Sequence, residues 1–575
     1  MHVGGKRIHW AIGLIGVILG LLLLVQGVVF LFLQPIVGGA LSGSINYFTD
    51  GLYHLDYQKV RVHLFRQRII LEGVTLTYDT ARVNRSARLQ QQKYYTGSIR
   101  HVDVKIRELD YFLSGRYLAI DVIDVNQPAI FVHRYPMLPQ PDTTQSGASL
   151  EFNTFQLVKP YFDSVAVSLV SVKHATLGLI RHAETRRPDS TLVNELGMRI
   201  ANATIDSVAA QQRHGWPHMQ EAVLWMRDQT FTSADSLYRY HVDSVGVNLL
   251  RGQLLARQFS VAPRWGRYEM GQQLGRRTTW MQWKVDQVDV QGIDFPLLTD
   301  SLMVQAGHAS VNQLDVTLFR DLRLPGGEPQ ARPLLPGLLQ SVTTPFSIDT
   351  LTVTESNLRY EEHRDLAEQA GHITFADLYA SLYHVTNQTQ DSSLIMQADV
   401  RMQLMDEGQA ELHFEFPLTA ARGEHRIRGK MYRMPLTALN PAVEPLAFAS
   451  VKSGVSNHLE FDMQLDEASA TGNVQFQYED LKVSLLQEDS PDQKKGVKSW
   501  LANWLVLKNS NPVRNQPLRP GPIYMQHDAT QSMFRYWWLA LRSGLMVSVG
   551  VANPPDEVKQ TSARTSKRSR AAVGR

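Results

Sequence analysis

Two short stretches combine acidic, basic and histidine side chains in a way that could support chemistry. The first, "YEEHRD" (360–365), groups Glu361, Glu362, His363 and Asp365, which are side-chain types that ligate metal ions. The group ends a run in which apolar and polar residues alternate, and this favours a solvent-exposed turn over a metal site. We therefore predict no metal site in this stretch.

The second stretch, "GEHRIRGKM" (423–431), approaches a phosphate-binding loop. Such a loop needs four residues between its glycines and a Ser or Thr after its lysine. Here five residues separate Gly423 from Gly429, and Met431 occupies the hydroxyl position. The chain also lacks His-Glu-x-x-His and Gly-x-Ser-x-Gly motifs, which would mark zinc and serine hydrolases. We predict a protein that is not an enzyme, with no catalytic residues, no metal and no cofactor.

Composition narrows the class of protein further. The 575 residues are 43% hydrophobic and 20% charged, which is ordinary for a folded chain. A formal net charge of +3 gives no electrostatic argument for a nucleic-acid partner. The absence of cysteine excludes disulfides and cysteine-ligated metals.

A membrane anchor is predicted near the N-terminus. "AIGLIGVILGLLLLVQGVVFLFL" (11–33) has Gln26 as its one strongly polar residue, and it exceeds the roughly 20 apolar residues that cross a bilayer. The length favours an anchor, although the small residues of "VGGALSG" (37–43) leave signal-peptide cleavage open. Lys6 and Arg7 precede the segment and residues 34–49 are uncharged. We expect residues 1–10 in the cytoplasm and the bulk of the chain outside it.

Beyond the anchor, the dominant pattern has a period of two residues. "VRVHL" (60–64), "VTLTY" (74–78), "VDVKI" (102–106) and "ELHFEF" (411–416) alternate apolar with polar residues, which indicates strands with one apolar face. No long run of helical period occurs between residues 50 and 480. "AEQAGHITFADLYASLYHV" (367–385) is ambiguous, and we favour a strand for its second half.

One strand pattern recurs along the chain. "IDVIDVNQPAIFVHR" (120–134) aligns without a gap to 167–181 and 348–362, and looser copies begin at Val285 and Val242. The shared frame has apolar residues at positions 1, 4, 6, 11 and 13 and a small or polar break near positions 7–9. We interpret each copy as strand, turn, strand. A chance origin in an ordinary β-meander remains open, and the irregular spacing argues against a strict solenoid.

A hairpin with one apolar face needs a cover for that face in water. Either two sheets close on each other, or one curled sheet lines a groove that an acyl chain fills. In the groove arrangement the apolar positions of the repeated frame contact the lipid. These candidates are Ile120, Ile123, Val125, Ile130, Val132, Leu169, Val172, Leu177, Leu351, Val353 and Leu358.

Both ends of the chain resemble the AsmA-like proteins of double-membrane bacteria. Those proteins begin with a basic segment and one anchor helix, and continue like the chorein-type start of bridge-like lipid-transfer proteins. The stretch 45–79, which contains "LEGVTLTYD", is similar to that start. The stretch 436–486 is similar to the closing module through Leu439-Asn440-Pro441, Ser453-Gly454, and Gly472 before "VQFQYEDLKV". The middle matches by pattern only, and the shared motifs are structural.

The resemblance implies an inner-membrane protein whose periplasmic β-groove carries phospholipid toward the outer membrane. The predicted fold is mostly β: one N-terminal transmembrane helix, an elongated and twisted antiparallel sheet forming a groove, and a few C-terminal helices. The predicted segments are 1–10 cytoplasmic, 11–33 anchor, 40–486 periplasmic groove (45–135 chorein-like, 436–486 closing module), 494–550 amphipathic helices and 551–575 disordered basic tail.

The last hundred residues change character. Apolar residues at helical spacing follow Val497, and "SMFRYWWLALRSGLMVSVG" (532–550) is apolar apart from Arg535 and Arg542. We favour a helix that packs on the end of the sheet. A helix lying on a membrane or a partner, and a second membrane span that buries Arg542 at a cost of about 3 kcal/mol, remain alternatives. Membrane or partner contacts are assigned to Trp500, Trp504, Phe534, Trp537 and Trp538.

Two functional classes therefore stand. In the first, the chain is a lipid-binding or lipid-transfer protein whose partners are phospholipids and the inner membrane. In the second, it is a non-enzymatic envelope scaffold or an outer-membrane assembly factor whose sheet binds protein. Lipid should co-purify in the first case, and a protein at a strand edge in the second.

Overall fold

The computed structural model describes a mostly β chain, which confirms the predicted class. The residues that it describes are 49, 51–85, 93–107, 116–134, 159, 162–182, 189–208, 218–233, 235–301, 303–327, 331–388, 394–420, 422–486 and 507–553. The predicted anchor, Trp500, Trp504, residues 494–506 and residues 554–575 lie outside this set. Within the described set, no helix is both long enough and apolar enough to span a bilayer.

The described residues form 21 strands and a few short helices. The strands are β1 Tyr53–Asp56, β2 Lys59–His63, β3 Arg68–Tyr78, β4 Lys93–Ile106, β5 Tyr117–Arg134, β6 Ser164–Arg181, β7 Asp189–Asp206, β8 Glu221–Thr232, β9 Tyr238–Asn248, β10 Gln253–Pro263, β11 Thr279–Gln291, β12 Val304–Asp321, β13 Phe346–His363, β14 Gly371–Thr386, β15 Ile395–Leu404, β16 Gly408–Pro417, β17 His425–Met431, β18 Met434–Pro435, β19 Ala449–Leu465, β20 Ser469–Leu485 and β21 Gly521–Gln526. The helices are α1 Thr80–Asn84, α2 Glu269–Leu274, α3 Phe295–Ser301, α4 Leu335–Gln340, α5 Asn440–Ala447 and α6 Met533–Ser548, with 3₁₀ turns at Leu64–Arg66 and Leu436–Leu439. The ambiguous stretch 367–385 is strand, as favoured.

The chain divides into two compact units. Unit 1 comprises residues 1–229 and 243–251, and unit 2 comprises residues 230–242 and 252–575. In unit 1, β3 pairs with β1, β2 and β4, and pairing then continues in chain order from β4 to β8. In unit 2, pairing continues in chain order from β10 to β17, and then through β19 and β20 to β21.

The prediction of a purely antiparallel sheet is wrong at two joints. Strand β5 pairs in parallel with β6 in unit 1, and β12 pairs in parallel with β13 in unit 2. Parallel neighbours require a crossover connection rather than a tight turn. The chain between β5 and β6 and between β12 and β13 makes these connections, and the second contains helix α4. After each connection the chain therefore starts a new strand in the same direction as the strand before it.

Three copies of the repeated motif form one long strand each rather than strand, turn, strand. The faint copy that begins at Val242 follows the prediction, because β9 ends at Asn248, a turn follows, and β10 pairs back on β9. Copies 120–134, 167–181 and 348–362 lie within the 18-residue strands β5, β6 and β13. Their eighth residues, Gln127, His174 and Glu355, adopt left-handed φ values of 53°, 51° and 50°. The polar break in the motif therefore marks a change in backbone conformation. The residues on either side of it still pair with the neighbouring strands, so the strand continues through the left-handed residue. The looser copy at 285–299 fails, because its second half enters α3.

The gapless alignment of 120–134 with 167–181 coincides with the register of the parallel pair. Ile120 lies opposite Val167, Val125 opposite Val172 and Ile130 opposite Leu177. Strand β12 stands in the same relation to β13, with Gln313 at φ 53° beside Glu355. Equivalent positions therefore sit side by side, and each apolar position of the frame extends into a row across strands.

Helix α6 packs on the C-terminal end of the sheet, as the favoured prediction states. Ser532 caps its N-terminus by accepting a hydrogen bond from the Arg535 backbone amide. Close approach to β21 depends on two glycines: a Cβ on Gly544 would lie 2.8 Å from the Gly521 carbonyl oxygen and 2.7 Å from Ile523 Cγ1. The Pro- and Asn-rich link 508–522 leads into strand β21, which begins at Gly521.

Candidate functional site

The apolar positions of unit 1 form two neighbouring rows that cross β4 to β8. Ladder pairing aligns the first row and the second row as follows: Val104, Ile123, Val170, Ile200 and Ala222; then Val102, Val125, Val172, Met198 and Leu224. Residues two apart on a strand share a face, so both rows lie on one face. We call these ten residues the unit 1 apolar face.

The opposite side of the same strands is charged. Lys105 Nζ and Arg107 Nε lie 3.1 and 2.8 Å from the carboxylate of Asp121. Lys173 Nζ lies 3.1 Å from Asp124 Oδ1. Hydrogen bonds from Arg107 and then Lys105 hold the pKa of Asp121 below its usual value. Because exposed ion pairs contribute little to stability, this side is best described as a solvated face.

The unit 1 apolar face has no helical cover within the described residues. Ile123 and Val170 pack in a cluster with other strand residues, together with Phe162 and Met219, and the cluster contains no helix residue. The fully buried members of this cluster, such as Ile120 and Val167, lie near the starts of strands β5 and β6. Val125, Val172 and Met198 are half-buried. The face thus becomes more accessible toward the left-handed positions Gln127 and His174.

The predicted lipid-contact residues of unit 1 fall into three groups by solvent exposure. Ile120 is buried, and Ile123, Val125, Val132 and Val172 are half-buried. Ile130 and Leu177 lie opposite each other, 47% and 43% exposed.

Leu169 was assigned to the wrong side of the sheet. It pairs with Val122 and Ala201, adjacent to the row of Ile123 and Val170 and therefore on the other face. Val170 occupies the predicted position, and the shared frame itself identifies it as the fourth residue of the copy.

Unit 2 carries two longer apolar rows on one face. The rows run from β10 to β19 and from β10 to β20, and their members are Leu254, Val290, Ala309, Leu351, Leu382, Ala398, Phe414, Ile427 and Met463; then Ala256, Val288, Val311, Val353, Ala380, Val400, Leu412, Gly429, Phe461 and Val474. We call these residues the unit 2 apolar face. Of the candidates, Leu351 packs in the main core cluster, while Val353 and Leu358 are half-buried.

Helices cover the unit 2 apolar face at its C-terminal strands but not near β10. Phe414, Ile427, Met463 and Val474 are buried and share a cluster with residues of α6. Leu335 and Leu339 of α4 pack against the same cluster. Toward β10, by contrast, Ala256, Val288 and Val311 are half-buried.

The reverse side of unit 2 forms a trough of about 1060 Å³. Residues from β13 to β20 line it, among them Asp399, Arg401, Glu411, Lys430 and Glu460. Many of its charges are paired within the trough, as Lys430 Nζ is with Glu460 Oε1 at 3.6 Å. Most of its lining side chains are charged or polar, but Val353, Val400 and Leu412 also line it. The trough is therefore not a purely polar surface, and its charges are what distinguish it from the unit 2 apolar face.

In "YEEHRD" the predicted exposed turn begins only at Arg364, because the first four residues are the end of strand β13. Glu361 and His363 belong to β13 and are buried, because the segment before α2 packs over them. Arg267 Nη1 and Arg359 Nε donate to Glu361 at 2.6 and 2.5 Å, and Tyr268 Oη lies 2.9 Å from His363 Nδ1. Glu361 and His363 therefore both have protein partners. Within the described ranges, no group of three acidic or histidine side chains could hold a metal ion. The cluster therefore acts as a structural connection between elements.

The aromatic candidates of α6 separate into buried and exposed sets. Trp537 packs on Phe414 and donates from Nε1 to His425 Nε2 at 2.9 Å. It is a core residue, which corrects its assignment to a partner surface. Phe534 and Trp538 project outward and are 68% and 54% exposed.

Acidification should loosen helix α6. Burial lowers the pKa of His425, although Asp466 opposes and His527 reinforces that shift. Neutral His425 accepts from Trp537 while Nδ1–H donates to the Gly423 carbonyl oxygen at 2.8 Å. Because the unfolded chain binds the proton more readily, stability is complete above about pH 6.5 and falls below it by up to about 1.4 kcal/mol per pH unit.

Hydrogen exchange of the α6 amides at pH 7.5 and pH 5, corrected for intrinsic rates, measures this loosening. The His425→Gln variant cannot titrate and should show a smaller difference in protection between the two conditions. An equal difference in both proteins would exclude His425 as the titrating group.

A scan against known protein-family models and a search of curated proteins find no match, so the AsmA-like resemblance stays a prediction.

Proposed function

We propose that the chain is a membrane-anchored lipid-binding protein that transfers phospholipid between the inner and outer membranes of a double-membrane bacterium. The anchor is the apolar segment 11–33, and the charge asymmetry around it favours a periplasmic location for the rest. The proposal contains no catalytic step and needs no cofactor.

The observation that carries the proposal is the unit 1 apolar face. It presents ten aligned apolar residues with a charged reverse side and no helical cover within the described residues. Nine of the ten residues are partly accessible and Ala222 is buried. Partly accessible apolar area without a cover is unfavourable in water unless something binds there. An acyl chain suits rows of Val, Ile and Met, because it requires no hydrogen-bond partners and follows a strip of apolar side chains.

The sheet would form a groove in this proposal, with the acyl chain across the strands and the headgroup toward solvent. The half-buried residues Val125, Val172 and Met198 would contact the chain. The left-handed residues Gln127 and His174, which interrupt the neighbouring strands at the same level, would bend the sheet around it.

The test is to purify the full chain and count the phospholipids that accompany it by extraction and mass spectrometry. We expect phospholipid beyond the amount bound by the anchor, and its loss when the apolar face is altered.

A second candidate function has support from unit 2. There, α4 and α6 cover part of the apolar face, and the accessible trough on the reverse side is lined mostly by charged or polar side chains. A trough of about 1060 Å³ whose lining combines charged side chains with apolar residues is compatible with binding a protein segment. This arrangement favours an envelope scaffold or assembly factor that binds a protein partner.

A further inference from the structure

Helix α6 has an outer side that its packing on the sheet does not use. Its inner side is buried and consists of Tyr536, Ala540, Gly544, Val547 and Ser548. The outer side carries Phe534, Arg535 and Trp538, all exposed. Two large aromatic side chains one helical turn apart are thus held in water by a helix that is otherwise well packed.

The charge on this outer side is entirely positive. Helix α6 contains Arg535 and Arg542 and no acidic residue, and the spacing from 535 through 538 to 542 places them on one side. No ion pair within the described ranges engages either guanidinium. Burial, followed by repulsion from Arg535 and Arg364, lowers the pKa of Arg542. Arg542 therefore lies near enough to Arg535 and Arg364 to be repelled by both.

Exposed aromatic rings beside arginines are typical of helices that lie at a membrane–water interface. The rings bury apolar area among the headgroups and the arginines attract anionic lipid. With 16 residues, α6 is about 24 Å long, and its inner side is committed to the core. It can therefore lie on a bilayer and not cross it.

We propose that the α6 outer face, formed by Phe534, Arg535, Trp538 and Arg542, docks on the surface of an anionic lipid bilayer. An anionic bilayer supplies both things that this face lacks: apolar contact for its rings and negative charge for its arginines. The α6 outer face is separate from the apolar faces of the sheet, and its docking does not depend on lipid transfer.

The experiment asks whether the full chain captures a second membrane. The chain is inserted through its predicted anchor into phosphatidylcholine nanodiscs, which are immobilised through a tag on the scaffold protein. Fluorescent vesicles of phosphatidylcholine, with or without phosphatidylglycerol, are added and the captured fluorescence is measured. We expect about 25-fold greater capture of the anionic vesicles, at about five-fold for each of the two arginines, reduced at high salt because surface charge is screened.

Two variants of α6 test the face itself. Arg535→Glu changes the charge by two units and should lower anionic capture about 25-fold, at about five-fold for each unit. It leaves packing intact, and an acidic residue in the first turn favours a helix. The second variant, Phe534→Ser with Trp538→Ser, should lower capture of neutral and anionic vesicles alike, because it removes the apolar contact and keeps both arginines.

Matched controls carry the same changes elsewhere. Arg433→Glu reverses an exposed arginine of unit 2, and Phe65→Ser removes a ring that is 59% exposed in unit 1. Both should capture vesicles like the parent, and protection of the α6 amides confirms that each variant is folded. The basic residues 559–575 are present in every protein. Equal capture of neutral and anionic vesicles, or anionic capture that survives both α6 variants, would overturn the proposal. Absence of all capture would also overturn it and would leave a protein as the partner of this face.

Discussion

The Val125→Glu variant should purify with at least five-fold fewer phospholipids than the parent chain while remaining folded. Val125 lies in the second row of the unit 1 apolar face and is half-buried. A carboxylate there stays hydrated in the empty protein, so the fold tolerates it. An acyl chain laid over it would remove that hydration, at a cost of several kcal/mol for an unpaired charge. Lipid extraction and mass spectrometry of both proteins measure the difference.

Asn126→Glu is the matched control for this prediction. It places the same side chain one residue away on the opposite, charged face, in the row of Lys173. Its phospholipid content should equal that of the parent. Lipids around the predicted anchor are common to all three proteins and cancel in the comparison. Unfolding of Val125→Glu would indicate a face closed by protein, and unchanged lipid content would remove this face from the proposed site.

Gly544→Val should release helix α6 from the sheet. A Cβ at Gly544 would lie 2.8 Å from the Gly521 carbonyl oxygen, 2.7 Å from Ile523 Cγ1 and 2.8 Å from Val474 Cγ2. Neighbouring backbone cannot move as a flexible side chain can, so overpacking should cost about 3 kcal/mol. Hydrogen exchange of the α6 amides should accelerate roughly 100-fold.

Two further variants isolate the close contact as the cause. Gly544→Ala gains about 1 kcal/mol of helix propensity, so faster exchange in that variant reports the clash alone. Gly246→Val makes the same substitution in β9, where a Cβ meets nothing within 4 Å, and should leave α6 unaffected. Unchanged exchange in Gly544→Val would show that α6 is not seated on β21 through this glycine.

Much of the fold could be predicted because strand periodicity is a local property. Alternation at 102–106 and 411–416 located strands β4 and β16, and the repeated frame located β5, β6 and β13. The side of the sheet followed from the same alternation. A shift of one residue reverses the side, and the assignment of Leu169 failed for this reason.

Strand direction and strand continuity could not be predicted in the same way. Parallel pairing of β5 with β6 depends on a crossover, and the period of a strand is the same in both directions. A polar residue such as Gln127 signals a turn, but a single left-handed residue can also sit inside a strand whose neighbours remain paired. The in-register alignment of 120–134 with 167–181 was the available signal for parallel pairing.

Burial of polar groups was the least predictable feature of the candidate sites. Glu361 and His363 look solvent-exposed in the sequence, but their partners Arg267 and Tyr268 come from a segment far away in the chain. Trp537 and Trp538 are adjacent and identical in type, and only the position of β17 and its His425 decides which one is inside. Helical spacing predicted that α6 has two sides without indicating which ring would be covered.

The most direct measurement of the central claim is photo-crosslinking from the unit 1 apolar face in living cells. A benzophenone amino acid replaces Val125 in one full-length chain and Asn126 in another, and both are irradiated, purified under denaturing conditions and analysed by mass spectrometry. Benzophenone inserts into nearby C–H bonds, so it labels whatever contacts that position. Lipid transfer through this face predicts a phospholipid adduct at Val125 and none at Asn126. Protein adducts without lipid at Val125, or equal lipid adducts at both positions, would contradict it.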